Sequence, residues 1–436
     1  MSTETKDLQY DSNDITGFSK ERQEPQWFTD IRLKGLELTG QLPMPKPEKT
    51  RIIGWNFTQF EHKADSRTFD SLEDLPVHIK QLVGQDDESG NVLIQHNGHG
   101  AYQVLSEELK AKGVIFTDLQ TALKEHGDLV EKYYFSKAGK IDKHRLTALH
   151  AALVNSGTFL YIPKNVVIDV PLQTVYWQEN PKVGFINHVI VVAEEGSSVT
   201  YVENYLSEEA DGEGVANIIS EVYVGDNAQV QFGAVDNFSK NVTVYVNRQG
   251  HVGRNGKLEW ALGQMNDGNT ISENLTELVG EASIADTKAV SVGRGDQKQS
   301  FVNNNQHYGK HSESMMLIHG VQKDSANSIF NGITKIEHGG TKSSGDQTQR
   351  VLMLSDKARG DANPILLIDE DDVIAGHAAS VGRIDPVQLY YLMSRGISKK
   401  EAERLVIHGF LAPVVNQLPI EGVKKQLVEV IERKVQ

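Results

Sequence analysis

The chemistry open to this chain is narrowed first by an absence: none of its 436 residues is cysteine. Disulfides, thiolate catalysis and all-cysteine metal sites are excluded. A metal could be held only by histidine, carboxylates or a partner's groups. His377 stands in Asp371-Asp372-Val373-Ile374-Ala375-Gly376-His377-Ala378-Ala379-Ser380-Val381-Gly382-Arg383-Ile384-Asp385. Its small neighbours leave the ring open to approach by another backbone or an ion. A neutral imidazole suits iron or zinc, but one ligand makes no site, and a lone histidine is more often structural. His96-Asn97-Gly98-His99 brings two imidazoles together, as a metal site would, although a solvated turn before Tyr102 is the plainer reading. His307, His311, His319 and His338 are spread too widely for a site and read mostly as surface or strand-edge residues. Asn303-Asn304-Asn305 fits either one rung of an amide ladder or an ordinary turn.

Enzyme signatures fail on spacing. Gly339-Gly340-Thr341-Lys342-Ser343 lacks the four residues that separate the glycines of a phosphate-cradling loop. There is no Gly-x-Gly-x-x-Gly after an expected strand, no Gly-x-Ser-x-Gly and no His-Glu-x-x-His. Arg294-Gly295-Asp296 is a polar turn.

The net charge of −15, from 44 basic and 59 acidic residues, disfavours nucleic acid, whose phosphates require a basic stripe. No apolar run approaches the ~18–20 residues that span a bilayer, and Met1 to Tyr10 carries no apolar leader core. A cytoplasmic location away from membranes is the expectation. Hydrophobic residues at 39% suffice for a large core, and the length implies two or three units.

Such chemistry has to be positioned by folded elements. Residues 1–155 read as an α-rich, irregular region. Glu24-Pro25-Gln26-Trp27-Phe28 opens a helix that reaches Leu38 at most, because Gly35 weakens it. Pro43-Met44-Pro45-Lys46-Pro47 is an extended linker. Leu119, Leu123 and Leu129, then Leu146, Leu149 and Leu153, have helical spacing. From Gly157 the texture changes to period-two runs such as Ala228-Gln229-Val230-Gln231-Phe232 and Val242-Thr243-Val244-Tyr245-Val246, bounded by Gly/Asn/Asp turns. Turn clusters at 194–198, 225–227, 280–283 and 323–327 precede Val199, Val230, Ile284 and Ile329. Their spacings of 31, 54 and 45 give no fixed period. A sandwich, a barrel or a solenoid could use so many short strands. Plentiful glycine (38) and few aromatics (7%) favour a parallel β-helix over 156–385.

Residues 386–436 return to helix. Asp385 caps a helix with Pro386 at its first position, and Gly396 stops it. Ser398-Lys399-Lys400-Glu401 is a capping box for a second helix whose apolar face carries Ala402, Leu405, Val406 and Phe410. A third follows Pro419, with Val423, Leu427, Val430 and Ile431 on one side. Helices this short are marginal alone, so their apolar faces must pack on the β-region, on each other or on a partner.

The run Asp361-Ala362-Asn363-Pro364-Ile365-Leu366-Leu367-Ile368, the stretch through Gly376-His377 to Asp385, and Leu389-Tyr390-Tyr391-Leu392-Met393-Ser394-Arg395-Gly396-Ile397 are similar to the shared C-terminal motif of the SufB/SufD family of iron–sulfur cluster assembly scaffolds. Gly157-Thr158-Phe159-Leu160-Tyr161-Ile162-Pro163-Lys164-Asn165-Val166 resembles that family's entry into its β-domain. The resemblance is strong from about residue 157 and loose before 100. It implies a mainly β chain, a right-handed parallel β-helix between helical terminal regions, in a complex of one SufB, one SufD and two SufC ATPases. SufB-type chains carry a cysteine on a late strand. Gln349 to Asp356 has none, so the chain is similar to the SufD-type branch. There the histidine matching His377 faces the SufB cysteine across the heterodimer interface and helps hold a transient iron–sulfur cluster. ATP hydrolysis would belong to SufC, docked on the C-terminal helices around Leu389, Tyr390, Leu392, Arg395 and Leu405, and the chain itself would be no enzyme. Flavin binding and a homodimer of the isolated chain stay open. A carbohydrate-active β-helix enzyme would need clustered carboxylates on one exposed sheet, and here Asp and Glu fall mostly in turns. A purely structural module would leave His377 as packing.

Overall fold

A computed structural model of the chain describes residues 8–63, 65–83, 90–209, 211–416 and 421–435. Pro419 and the first residues of the N-terminus lie outside the described residues. Two sheets, of ten and nine strands, run the length of a parallel β-solenoid of about eight turns, and the chain alternates between them. In the ten-stranded sheet Gln229 pairs with Lys257, Lys257 with Ile284, Ile284 with Glu313, and Glu313 with Ser344. Each turn therefore advances 27 to 31 residues in this sheet, and 26 to 32 in the other. Val199, Val230 and Ile284 sit in this sheet and Ile329 in the other. The irregular spacing thus mixed two sheets and passed over one whole turn.

Alternate residues of each strand fill the lumen. Tyr201, Phe232, Trp260 and Met316 are buried there in one core. One corner is built by a column of left-handed residues, Asn227, Asn255, Ala282 and His311 (φ 52 to 57°). The N–H of each donates to the carbonyl of the turn above, as Asn227 does to Arg254 at 2.8 Å and His311 to Thr341 at 3.0 Å.

The N-terminal region holds more strand than its sequence suggested. Val92–His96 pairs in parallel with Leu172–Gln178 and antiparallel with His99–Val104, so it extends the ten-stranded sheet. Ile115–Asp118 closes the nine-stranded sheet antiparallel to Ser156–Ile162. Helix Gln26–Gln41 runs straight past Gly35, because a Cβ there would lie 2.7 Å from Ala148 O of helix Arg145–Leu153. Close packing outweighs the helix penalty of glycine. Buried Arg32 pairs with Glu24 at 2.6 Å and donates to the C-terminal carbonyls Ala152 O (3.0 Å) and Val154 O (2.7 Å). Fully buried His150 and His188 (3.0 Å) with Glu221 (2.9 Å from His188) pin this region onto the nine-stranded sheet.

Helices Lys399–Val415 and Glu421–Val435 lie on the outer face of the ten-stranded sheet. Ile407, Leu411 and Val414 join Val423, Leu427, Val430 and Ile431 over Val202, Val235, Val290 and Val321. The buried stripe of helix Lys399–Val415 keeps the expected Ala402 and Phe410 but continues through Ile407 and Leu411, and Leu405 stays 43% exposed. Among the described residues no helix is long and apolar enough to cross a membrane.

Candidate functional site

Both sheets end on the same turn. Arg359–Ile368 is the last strand of the nine-stranded sheet and Ile374–Arg383 the last of the ten-stranded one. Each is ten residues long and hydrogen-bonded on one side only. Such edges present a row of free backbone donors and acceptors. Ile374 (74% exposed), Leu367 (45%) and Val381 (43%) lie on this turn.

His377 is register partner to Gln347, which pairs onward through Met316 to Thr287 and Trp260. All four of those residues are buried in the lumen. By strand alternation His377 shares their face, so it sits over the lumen mouth rather than on the outer wall. It is exposed only because no turn covers it. On the outer face its neighbour Gly376 lets Asp346 approach: a Cβ would lie 2.7 Å from Oδ1. Ala378 continues a regular strand opposite Thr348. Beneath the mouth, Gln349 is fully buried with neither amide atom partnered by protein, and Gln347 donates to Ile365 O at 2.9 Å.

Of the other histidines, His96, His307 and His319 are placed differently from expectation, and His311 and His338 as expected. His96 and His99 flank a tight Asn97-Gly98 turn (φ 48° and 84°), the usual two-residue hairpin connection. His96 is buried, not solvated. It packs on Trp177 at 4.4 Å, accepts the Arg67 N–H on Nδ1 (2.9 Å) and so donates from Nε2 to Glu179 (3.2 Å). His307 lies in the lumen between Ser312 and Ser314, 2.8 Å from each, and burial pushes it down to about 4. His319 donates to Phe410 O at 2.6 Å and stacks on that ring, fastening helix Lys399–Val415 to the sheet. His311 and His338 are exposed. Asn303 to Asn305 are strand residues, with Asn303 and Asn305 buried inside. Among the described residues no group of three or more His, Asp or Glu is placed to hold a metal ion.

Residues 176–410 match the model of the SUF-system FeS cluster assembly SufBD core domain, and residues 90–174 that of the SufBD N-terminal region. The chain belongs to the SufB/SufD family. It is 60% identical to the iron–sulfur cluster assembly protein SufD of Bacillus subtilis over 98% of both chains. It is 29% identical to iron–sulfur cluster assembly SufBD family proteins of Staphylococcus epidermidis and Staphylococcus aureus, covering 94% of this chain and 90% of theirs. As a SufB/SufD member of SufD type it functions in iron–sulfur cluster assembly.

In this SufB/SufD chain, helix Pro386–Ser394 follows directly on the terminal strand. Asp385 caps it through the Val387 N–H (2.9 Å), and Gly396 ends it at φ +85°. It buries no residue at all. Tyr390 is 71% exposed, Leu389 and Leu392 are half-buried, and Arg395 lies over the Tyr391 ring at 5.2 Å. Val387 (72%) and Tyr391 (56%) belong to the same exposed apolar surface and were missed. Their signal was present: the helix is apolar nearly all round, which exceeds what one packed face requires.

Proposed function

We propose that this chain is the SufD-type subunit of a SufB–SufC–SufD scaffold, pairing with SufB through the strands Arg359–Ile368 and Ile374–Arg383. One observation carries the reading: the two sheets stop together on free edges, and His377 stands over the lumen between them. Adding a partner's strands would satisfy the edge hydrogen bonds and cover Ile374, Leu367 and Val381. His377, which makes no ion pair among the described residues and has no cysteine in its own chain, would then meet the partner's cysteine. A neutral imidazole can complete a nascent iron–sulfur cluster only with ligands from that other chain, and the cluster is cargo.

The three-part division at 155 and 385 assigns the N-terminal region to capping, the β-helix to pairing and the C-terminal helices to SufC. SufC docks on Leu389, Tyr390, Leu392, Arg395 and Leu405, supported by a helix none of whose residues is fully buried. ATP binding by SufC biases the pair only insofar as ATP-bound SufC prefers one geometry of it. Because only two residues separate the His377 strand from helix Pro386–Ser394, movement of the docked ATPase acts directly on the mouth. The site of action is the cytoplasm.

The decisive experiment is His377→Ala in the co-expressed complex. Iron and sulfide should be lost from the purified assembly while its subunit composition is retained. A normal cluster content in that variant would falsify the ligand role. For the SufC face, Tyr390→Ala with Arg395→Glu should abolish SufC capture; unchanged capture moves the docking site elsewhere.

A further inference from the structure

The segment that follows helix Gln26–Gln41 crosses the outer face of the nine-stranded sheet. Arg145 N–H donates to Pro43 O at 2.9 Å. Met44, Ile52 and Trp55 pack against a cluster that contains Tyr245 and Ile271. At the far end the chain reverses at Lys49 (φ 50°), and Lys49 Nζ lies 3.5 Å from Asp361 of the edge strand Arg359–Ile368. It returns to pair Glu61 with Val183 near the first turns.

Tyr245, Ile271, Ser300, Ile329 and Asp361 are successive register partners. The strap therefore follows one column of the sheet. Ser300 and Ile329 face out of the sheet, since Phe301 and Phe330 fill the lumen, yet both are buried. The lengths agree. Five steps from Met44 to Lys49, with proline at 45 and 47, cover about 15 Å at ~3.1 Å each. From Ile271 to Asp361 there are three strand spacings of ~4.8 Å, about 14 Å. A stiff proline-rich rail thus ends level with the last strand, so its tip stands at the rim where a further strand would add.

The tip is basic. Lys46, Lys49 and Arg51 are exposed, with Arg359 beside them, against Glu48 and Asp361. Asp361 is already taken by Arg359 (2.8 Å) and Lys49, the Arg359 hydrogen bond being the larger cause that holds its carboxyl below the usual range. Lys46 and Arg51 make no ion pair among the described residues. The rim carries four cations against two carboxylates in a chain of net charge −15.

We propose that the strap tip, Lys46 to Arg51, is a second contact of the partner interface, on the opposite sheet from His377, and that it receives an acidic rim of the β-helix that adds to Arg359–Ile368. This rests on the edge-pairing reading above. The residue of the added strand in register with Asp361 would lie one strand spacing beyond it, beside Lys49 and Arg51. The tip would fix register and speed encounter more than it would hold the complex, as rim charges generally do.

The test is the association rate of the full chain with its SufB-type partner at low and high salt, for wild type, Lys49→Glu/Arg51→Glu and a control of equal charge change, Lys110→Glu/Lys112→Glu, in the remote helix Glu107–Ala111 and its C-cap. The tip variant should associate about ten-fold more slowly at low salt, and the difference should shrink at high salt. Arg51→Glu alone leaves the Lys49–Asp361 pair intact and should show the same sign at smaller size. Equal slowing by tip and control overturns the proposal while leaving edge pairing intact. Absence of any complex with the wild-type chain overturns the edge pairing itself.

Discussion

The two ends of this solenoid are finished in opposite ways. At the first turns each sheet is closed by an antiparallel strand, His99–Val104 or Ile115–Asp118, and helices cover the outside. At the last turn both sheets stop on long, regular, parallel strands. The interiors differ as well. Tyr176, Tyr205, Phe185, Phe232 and Trp260 fill the early lumen, and their polar tips find partners, as Tyr176 OH does at Thr158 Oγ1 (2.6 Å) and Trp260 Nε1 at Thr276 Oγ1 (2.9 Å). The late lumen is lined by Gln299, Asn303, Asn305, Gln322, Gln347 and Gln349, and each keeps at least one amide atom without a protein partner. Unpartnered atoms occur in the early lumen too, as at Asn187 Oδ1, Glu203 Oε2 and Gln264 Oε1, but among aromatic rings rather than in a row of amides. The open end keeps an edge of the kind proteins normally suppress, which supports reading it as a surface for another chain.

The contrast is broken most severely in the early lumen. Arg248 is buried between Asp236 (2.6 and 3.0 Å) and Glu203 (3.4 Å). Removing one partner of a buried pair leaves a charge uncompensated, at about 3–5 kcal/mol. For Asp236→Ala the expected loss is at the lower end, about 3 kcal/mol, because Glu203 can take over. Adding Glu203→Gln should move it to the upper end. Urea unfolding of both variants measures this, and a loss below about 1 kcal/mol in the double variant would show that the triad does not anchor the early turns.

Glu203 also gives that half a pH signature. Burial, opposed by Arg248 and reinforced by Asp236, pushes its carboxyl up to about 7. The native state then binds more protons than the unfolded chain between about pH 4.5 and 7, so this group's contribution falls as pH rises through that window. In Glu203→Gln the decline should flatten. Unfolding midpoints at pH 5, 6 and 7.5 that keep the wild-type slope would assign it to other groups.

The solenoid was legible because its causes are local: period-two alternation, Gly/Asn turns and an Asp385-Pro386 cap are written in adjacent residues. Its period was obscured because turns of 26 to 32 residues drift and two sheets interleave. The early strands are harder to read although Asn97-Gly98 is a strong hairpin signal, because Val92–His96 is buried on both faces and so lacks period-two alternation. His377 could be singled out by its small neighbours, but its place over the lumen depends on register with Gln347, which is set by pairing thirty residues away. Which apolar residues of helix Lys399–Val415 pack and which stay free could not be read from the helix alone, because the packed stripe is chosen by the sheet beneath, through Ile407 and Leu411, and Leu405 is left exposed.

The smallest effect separates the two lumens by sign. Gln349 is fully buried with both amide atoms unpartnered by protein, and a buried unsatisfied group costs about 1–3 kcal/mol. Leucine has nearly the same size and no polar atom. Gln349→Leu should therefore leave stability unchanged or raise it by about 1 kcal/mol. In the early lumen Tyr176→Phe removes a satisfied hydroxyl and orphans part of Thr158, so it should lower stability by about 1 kcal/mol. If the two substitutions shift the urea midpoint in the same direction, the Gln349 amide is as well satisfied as the Tyr176 hydroxyl. The polar end would then have to be explained by what its amides bind rather than by what they lack.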